Sequence, residues 1–318
     1  MTFYHWFLIV VLAIVLLFAF VVLYFWKFAI VRESADKKKK AHKETVFDRL
    51  YMTRIKSGIQ WFKNMNPTKV YTESIDGLKL AADYLPAENP KGTIIVVHGY
   101  RSSNVMDFSC VFEIYHSWGY NILAVHDRAH GESEGKYIGF GILDRYDVRS
   151  WVDYVVNNIG GNIVLDGLSM GASTVLMTSG FELPSNVKCI IADCGFTSPW
   201  EECKHVLKHN FNLPAFPLLP ICSCLVKLTA GYSLNEYSTI EALKTNKLPV
   251  LFIHGGGDSF VPTYMGHQNY EACVSEKEFV LVDDAEHAES FLKETDRCTE
   301  ALKTFLDKHV PSLVESVN

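Results

Sequence analysis

The chain has 318 residues, 48% of them hydrophobic and 21% charged, with a formal net charge of −6 at pH 7. This length and composition suit one large globular domain or two small ones, and they exclude a disordered, collagenous or coiled-coil protein. The charge is uneven. Residues 1–57 hold ten Lys and Arg against four Asp and Glu, whereas the remainder holds 20 against 32. So acidic a remainder argues against nucleic acid as a partner.

Residues 1–31 are predicted to be a transmembrane anchor. From Trp6 to Trp26 there are 21 residues without a charge, long enough for a helix to cross a hydrocarbon layer about 30 Å thick. A cleaved signal peptide is the competing interpretation. However, the leader contains no Lys or Arg, the apolar core is too long, and no small-x-small cleavage site follows. We therefore expect a retained single-pass helix, with the membrane as a partner.

Basic residues follow this apolar segment: Lys27, Arg32, Lys37, Lys38, Lys39, Lys40 and Lys43. Basic residues beside a span tend to stay cytoplasmic, so they predict that the large domain lies on the cytoplasmic side. The basic flank either binds anionic headgroups or only stops transfer, with no further role. The eight cysteines are compatible with this side, since most lie in apolar runs and none suggests a disulfide framework.

Residues 32–68 are predicted to form this basic juxtamembrane segment followed by an amphipathic helix. Its apolar residues recur at steps of three and four: Phe47, Leu50, Tyr51, Ile55, Ile59 and Phe62. Asn66-Pro67 ends the helix. Its apolar stripe would lie on the bilayer or dock on the domain that follows, and docking is the commoner outcome for such a stripe.

The third predicted unit, residues 69–318, alternates between strand and helix. A hairpin is predicted at Asp76-Gly77. Continuous apolar runs then predict strands that are buried on both faces, at 92–100, 121–127, 162–167, 187–193, 249–255 and 278–284. Helix-length segments lie between them, at roughly 104–117, 144–158, 170–180, 263–275 and 289–308. This alternation predicts an α/β fold in which a mostly parallel sheet is flanked by helices.

One connection is far longer than the others. About 55 residues separate the strands at 187–193 and 249–255, and a simple crossover needs far fewer. The extra segment, at about 197–240, is rich in Phe, Leu and Pro. We expect it to form a small lid over the carboxyl ends of the strands.

Polar side chains follow these strands, where ligands bind in open parallel sheets. They include His98, Asp127, Ser169, Asp193, His254, Asp258 and His287. A serine, an acid and a histidine therefore occur in the order Ser, Asp, His. Ser169 is flanked by the small residues that a sharp strand-to-helix turn requires, and a serine hydroxyl becomes a nucleophile once a base takes its proton.

Five motifs in this order resemble the α/β-hydrolase superfamily: HGY at 98–100, DRAHGESEG at 127–135, GLSMG at 167–171, HGGGDSFVP at 254–262 and AEH at 285–287. Residues 70–310 carry the resemblance. Within the superfamily, the chain is similar to membrane-anchored bacterial hydrolases with serine aminopeptidase-like domains.

The resemblance implies a catalytic triad in which Ser169 is the nucleophile, His287 the general base and Asp258 the acid that orients it. Asp193 is the rival acid because it ends the preceding strand, but the loop around Asp258 matches the family's acid loop. The amide N–H of Met170, which opens a helix, and that of Tyr100 are the expected oxyanion donors.

The remaining polar residues at these strand ends are expected to be structural. His98 and His254 are interpreted as packing histidines. Asp127, Arg128 and His130 are expected to hold the turn after the fourth strand through hydrogen bonds.

The sequence thus predicts a membrane-anchored serine hydrolase that works through an acyl-enzyme and needs no metal or cofactor. The apolar insertion and the nearby bilayer favour an ester with an apolar, lipid-like acyl group. Peptidase or thioesterase activity would use the same triad. A catalytically silent membrane scaffold on the same fold is the third alternative.

Overall fold

The structure is a computed structural model that describes residues 3–33 and 46–311. The basic residues 37–40 and Lys43 lie outside these ranges, as do the side chains of Phe47 and Leu50. The predicted contact of the basic flank with a membrane therefore stays a prediction.

Eight strands of the described chain form one sheet, in the order β1-β2-β4-β3-β5-β6-β7-β8. Their bounds are β1 Thr68–Glu73, β2 Lys79–Leu85, β3 Gly92–Val97, β4 Tyr120–Val125, β5 Asn162–Leu168, β6 Val187–Asp193, β7 Val250–Gly255 and β8 Lys277–Val282. The first two strands form the predicted hairpin, with Glu73 paired to Lys79. β2 is antiparallel to β4, and all later pairings are parallel. The sheet is therefore mostly parallel, as predicted.

The described helices are α1 Phe3–Ile30, α2 Val46–Asn64, α3 Asn104–Asp107, α4 Phe112–Ser117, α5 Asp144–Asn158, α6 Met170–Thr178, α7 Pro199–Phe211, α8 Leu218–Ala230, α9 Thr239–Leu243, α10 Thr263–Ala272, α11 Ser290–Lys293 and α12 Thr295–His309. Two stretches predicted as single helices are each divided. Residues 104–117 form α3 and α4, and α2 crosses the connection between them so closely that a Cβ on Gly58 would lie 1.9 Å from the Ser109 carbonyl oxygen. Residues 289–308 form α11 and α12, separated at Glu294 (φ −120°, ψ 60°).

The amphipathic helix α2 docks on the domain. Phe62 is 2% exposed, and its ring stacks on that of Phe112 in α4 with the centroids 4.2 Å apart. Helices α2, α4 and α12 cover one face of the sheet, and α5 and α6 cover the other. Docking, the favoured interpretation of the apolar stripe, is confirmed.

A third apolar cluster lies beyond the carboxyl ends of the strands. It joins the start of α6 to helices α7 and α8 of the insertion and to the C-terminal end of α1. Within the described ranges, α1 is the one helix long and apolar enough to cross a membrane, with a mean hydropathy of 3.3 over its most apolar 18 residues. Its length and its apolar composition fit a membrane span, and a signal sequence near the N-terminus has the same two properties.

Candidate active site

Ser169 lies on a sharp turn between β5 and α6, with φ 56° and ψ −115°. The turn is packed so tightly that a Cβ on Gly171 would lie 1.9 Å from the Val97 carbonyl oxygen. A Cβ on Gly167 would lie 2.3 Å from the carbonyl oxygen of Gly171. Glycine at both positions therefore lets the strand, the helix and β3 meet at this point. A non-glycine residue with positive φ is strained, and such strain is typical of functional turns.

His287, on the loop after β8, is hydrogen-bonded on both ring nitrogens. Its Nε2 lies 2.9 Å from Ser169 Oγ and its Nδ1 lies 2.7 Å from Asp258 Oδ2. Because a carboxylate only accepts, Nδ1 carries the proton and donates it to Asp258, which leaves Nε2 to accept from the Ser169 hydroxyl. This arrangement can take a proton from Ser169.

The Asp258 carboxylate is buried and well supplied with donors. Its Oδ1 accepts the amide N–H groups of Phe260 and Val261, at 3.0 and 2.9 Å. Burial alone would raise its pKa, but the hydrogen bonds and charges of His254 and His287 outweigh burial and lower the pKa to about 2. Asp258 therefore remains ionised and can stabilise a protonated His287.

Asp193, the rival acid, is placed differently. It ends β6, and its main-chain carbonyl accepts the amide N–H of Ser169 at 2.8 Å. Its Oδ1 has no hydrogen-bond partner in the described part of the chain, and burial raises its pKa to about 6. The structure therefore brings Asp258, rather than Asp193, into hydrogen-bond contact with His287.

The HGY loop lies directly against Ser169, since a Cβ on Gly99 would be 3.4 Å from Ser169 Cβ. Asp107 holds this loop by accepting the amide N–H of Gly99 at 2.7 Å. The amide N–H groups of Tyr100 and Met170 make no hydrogen bond to the described residues, so both are available to an oxyanion near Ser169. Asp107 was not predicted, because its eight-residue spacing from Gly99 belongs to no local sequence pattern.

His98 and His254 are packing residues, as interpreted from the sequence. His98 Nδ1 donates to the Gly99 carbonyl at 2.8 Å, and its Nε2 accepts the amide N–H of Asp127 at 3.2 Å. His254 Nε2 donates to the Val261 carbonyl at 2.9 Å. Both histidines therefore fix loops next to Ser169 and Asp258.

The turn after β4 is also held as predicted. The His130 amide N–H donates to the Asp127 carbonyl at 3.0 Å, and His130 Nε2 accepts the Arg101 amide N–H at 3.1 Å. The Arg128 guanidinium pairs with the carboxylates of Asp76 and Asp147. The turn is thereby hydrogen-bonded to the residue that follows the HGY loop.

An apolar cavity of about 250 Å³ begins at Ser169. Aromatic and aliphatic side chains from α1, α7 and α8 line most of it, together with Phe140, Phe196 and Phe260. Glu202 of α7 is an exception. It is 5% exposed, neither of its carboxyl oxygens has a partner in the described part of the chain, and burial raises its pKa to about 8. The sequence did not predict a buried carboxyl group at Glu202. The pattern around it, with Ser198, Pro199 and two glutamates after Trp200, is typical of the start of a helix.

One group of side chains in the described residues has the spacing of metal ligands: Cys194, Asp258 and His287, whose ligand atoms lie within 4.8 Å of one another. Two of these side chains, Asp258 and His287, are hydrogen-bonded to each other, and burial raises the pKa of the Cys194 thiol well above its usual range.

Comparison with known proteins places this geometry in a family. No protein-family model matches the chain. Over 248 residues it is 30% identical to the uncharacterized protein YqkD of Bacillus subtilis, which covers 77% of this chain and 81% of YqkD. Its fold is similar to that of the Pyrococcus furiosus esterase Pf2001, with a TM-score of 0.64 and 23% identity over 78% of this chain and 94% of the esterase. The chain belongs to the same family as YqkD, and its fold is that of the α/β-hydrolases.

A second solved structure extends this comparison. The acylaminoacyl peptidase of Pyrococcus horikoshii matches with a TM-score of 0.59 and 17% identity, over 79% of this chain and 43% of the peptidase. One neighbour is thus an esterase and the other a peptidase. At these identities the similarity shows a shared fold.

Proposed function

We propose that the chain is a membrane-anchored serine hydrolase that cleaves a carboxylic ester with an apolar acyl group. The observation that supports it most is His287, hydrogen-bonded to Ser169 on one side and Asp258 on the other. The apolar cavity that Ser169 lines supports the choice of an apolar acyl group. The esters of membrane lipids carry such groups, and α1 would hold the enzyme next to them.

In the proposed reaction, Ser169 Oγ attacks the acyl carbonyl carbon while His287 Nε2 takes the hydroxyl proton. The amide N–H groups of Tyr100 and Met170 bind the oxyanion that forms. The bond from the carbonyl carbon to the alcohol oxygen then breaks, and His287 returns the proton to that oxygen. Water attacks the acyl-enzyme in the same way, which releases the carboxylic acid and restores Ser169.

Acyl-chain preference and active-site labelling test the proposal in the full-length protein. We expect a higher kcat/KM for p-nitrophenyl octanoate than for p-nitrophenyl acetate, because the longer chain buries more apolar surface. A fluorophosphonate probe should label the wild type. Ser169→Ala should abolish both labelling and ester hydrolysis.

Ser103→Ala is the matched control, because Ser103 precedes α3 and makes no side-chain cap hydrogen bond. It should keep wild-type labelling and hydrolysis. Equal labelling of wild type and Ser169→Ala would overturn the nucleophile, and a preference for acetate would overturn the apolar acyl group. Faster cleavage of aminoacyl amides than of esters would favour the peptidase alternative.

A further inference from the structure

The last two turns of α1 pack against the hydrolase domain and are hydrogen-bonded to it. Ile30 is 1% exposed, and its carbonyl accepts the amide N–H of Ile138 at 2.8 Å. One turn earlier, the Trp26 indole N–H donates to Thr229 Oγ1 of α8 at 3.0 Å. The end of α1 is therefore fixed on the domain at two separate points, which a simple tether would not require.

The same turns contact the loop that supplies a proposed oxyanion donor. The single Tyr100 O–H donor is shared between two carbonyl oxygens, that of Ala29 at 3.0 Å and that of Phe28 at 3.1 Å. Burial raises the pKa of Tyr100 to about 12, so the hydroxyl keeps its proton. The Arg101 guanidinium also donates to the carbonyls of Phe28 and Val31. The HGY loop is thus hydrogen-bonded to the end of α1.

These turns also form one wall of the cavity at Ser169. The cavity is lined by Phe25, Trp26, Phe28, Ala29 and Ile30, together with residues of the insertion helices α7 and α8. Four of the residues that line the cavity are also exposed: Phe28, Asn210, Phe211 and Phe260. The rings of Phe28 and Phe211 lie 6.0 Å apart, so one opening of the cavity lies between α1 and the end of α7.

The insertion also carries exposed apolar side chains. Phe216 and Leu228 of the insertion are each 78% exposed, and Ile221 is 44% exposed. They continue the apolar surface of α1 onto the insertion, since α8 packs along α1. An acyl chain that entered here from a bilayer would avoid exposing its methylene groups to water.

We infer that the end of α1, Phe25 to Ile30, is part of the substrate site and admits the acyl chain of a membrane-resident lipid ester directly from the bilayer. This inference rests on the proposed function, and it assigns the substrate to the lipid phase. The helix then has two roles, since it anchors the enzyme and forms the wall along which the acyl chain reaches Ser169.

The test uses the full-length chain in sealed vesicles of dioleoylphosphatidylcholine that contain dioleoylglycerol, with p-nitrophenyl acetate as a water-soluble ester. Ala29→Trp places an indole in the cavity wall. We expect it to lower oleate release by at least about tenfold more than it lowers acetate hydrolysis. Phe28→Ala, at an exposed position, widens the opening and should raise the ratio of oleate release to acetate hydrolysis.

Leu23→Trp is the matched control, because Leu23 lies on the same helix, is 52% exposed and does not line the cavity. It should leave both rates at wild-type values. The inference is overturned if Ala29→Trp and Phe28→Ala both keep the wild-type ratio, or if the wild type hydrolyses acetate but not dioleoylglycerol. A wild type that hydrolyses neither ester and does not react with fluorophosphonate would overturn the proposed function itself.

Discussion

Asp258 is a buried carboxylate that accepts hydrogen bonds from two backbone amides and from the His287 ring. His254 Nε2 lies 3.5 Å from its Oδ2, and together these groups keep Asp258 charged. In Asp258→Asn, the amide NH₂ can donate to His287 Nδ1, which moves the ring proton to Nε2 and prevents Nε2 from accepting from Ser169. We expect kcat for p-nitrophenyl octanoate to fall by about 10³- to 10⁴-fold. Steady-state kinetics of the purified variant measure this loss.

Asp283→Asn serves as the control, because Asp283 is an exposed acid on the loop that carries His287. It should retain wild-type kcat. An Asp258→Asn enzyme that is as active as this control would contradict the role given to Asp258.

Glu202 makes stability depend on pH. Burial raises its pKa from the ordinary 4.5 to about 8, so between these values the folded chain holds a proton that the unfolded chain has lost. The free energy of unfolding therefore falls as the pH rises through this window. We expect Glu202→Gln to have a higher Tm than the wild type at about pH 9, with a smaller difference at about pH 5.

Thermal unfolding of both proteins across this pH range measures the effect. Glu201→Gln is the comparison, because Glu201 lies next to Glu202 in sequence but pairs with Lys204 at a partly exposed site. Its Tm difference from the wild type should change little over the same window. A Glu202→Gln curve parallel to that of the wild type would show that Glu202 is charged throughout.

At the scale of elements, the turn between β5 and α6 tolerates no side chain at Gly171, where a Cβ would lie 1.9 Å from a backbone oxygen of β3. Backbone atoms cannot move aside as a flexible side chain can. Gly171→Ala should therefore lower the free energy of unfolding by about 3 kcal/mol or more. Urea denaturation followed by circular dichroism gives this value.

Gly257→Ala controls for the general effect of replacing glycine. Its nearest neighbour would be the Ala285 carbonyl oxygen at 3.4 Å, an ordinary contact. We expect a change of less than about 1 kcal/mol. Similar losses in both variants would show that the close packing around Gly171 is not what determines stability at the turn.

Strands β3 to β7 could be predicted from sequence because each is buried on both faces and so appears as a continuous apolar run. The division of residues 104–117 into α3 and α4 was not predicted, and neither was the contact of the connection at Ser109 with Gly58 of α2, which is distant in the sequence. Chain order and motifs predicted that Ser169, Asp258 and His287 would meet, and the structure places them within hydrogen-bond distance. Their catalytic roles stay predictions.

The cavity wall from α1 was not predicted either. The sequence of α1 changes from aliphatic residues to the aromatic cluster YFWKF at 24–28, but aromatic residues are also common where a span meets the membrane surface. Only the contacts of Trp26 and Ile30 with residues about 100 or 200 positions away separate the two explanations.

At the scale of the whole molecule, the basic residues after α1 predict on which side of the membrane the domain lies. Protease added to sealed vesicles should degrade the domain in inside-out vesicles and spare it in right-side-out vesicles, because basic flanks stay cytoplasmic. Detergent, which opens both vesicle types, is the control. The reverse pattern would place Ser169 on the other side of the membrane.

The 28 residues of α1 measure about 42 Å as a helix, whereas the hydrocarbon layer of a bilayer is about 30 Å thick. In the proposed topology, the C-terminal turns of α1 extend beyond the hydrocarbon layer and are hydrogen-bonded to Tyr100 and α8. The span is therefore joined to the domain around Ser169 without a flexible linker. The enzyme then cannot swing over the membrane surface, and its nucleophile stays at one depth. Such an enzyme would select among the ester bonds of a lipid by their distance from the bilayer centre.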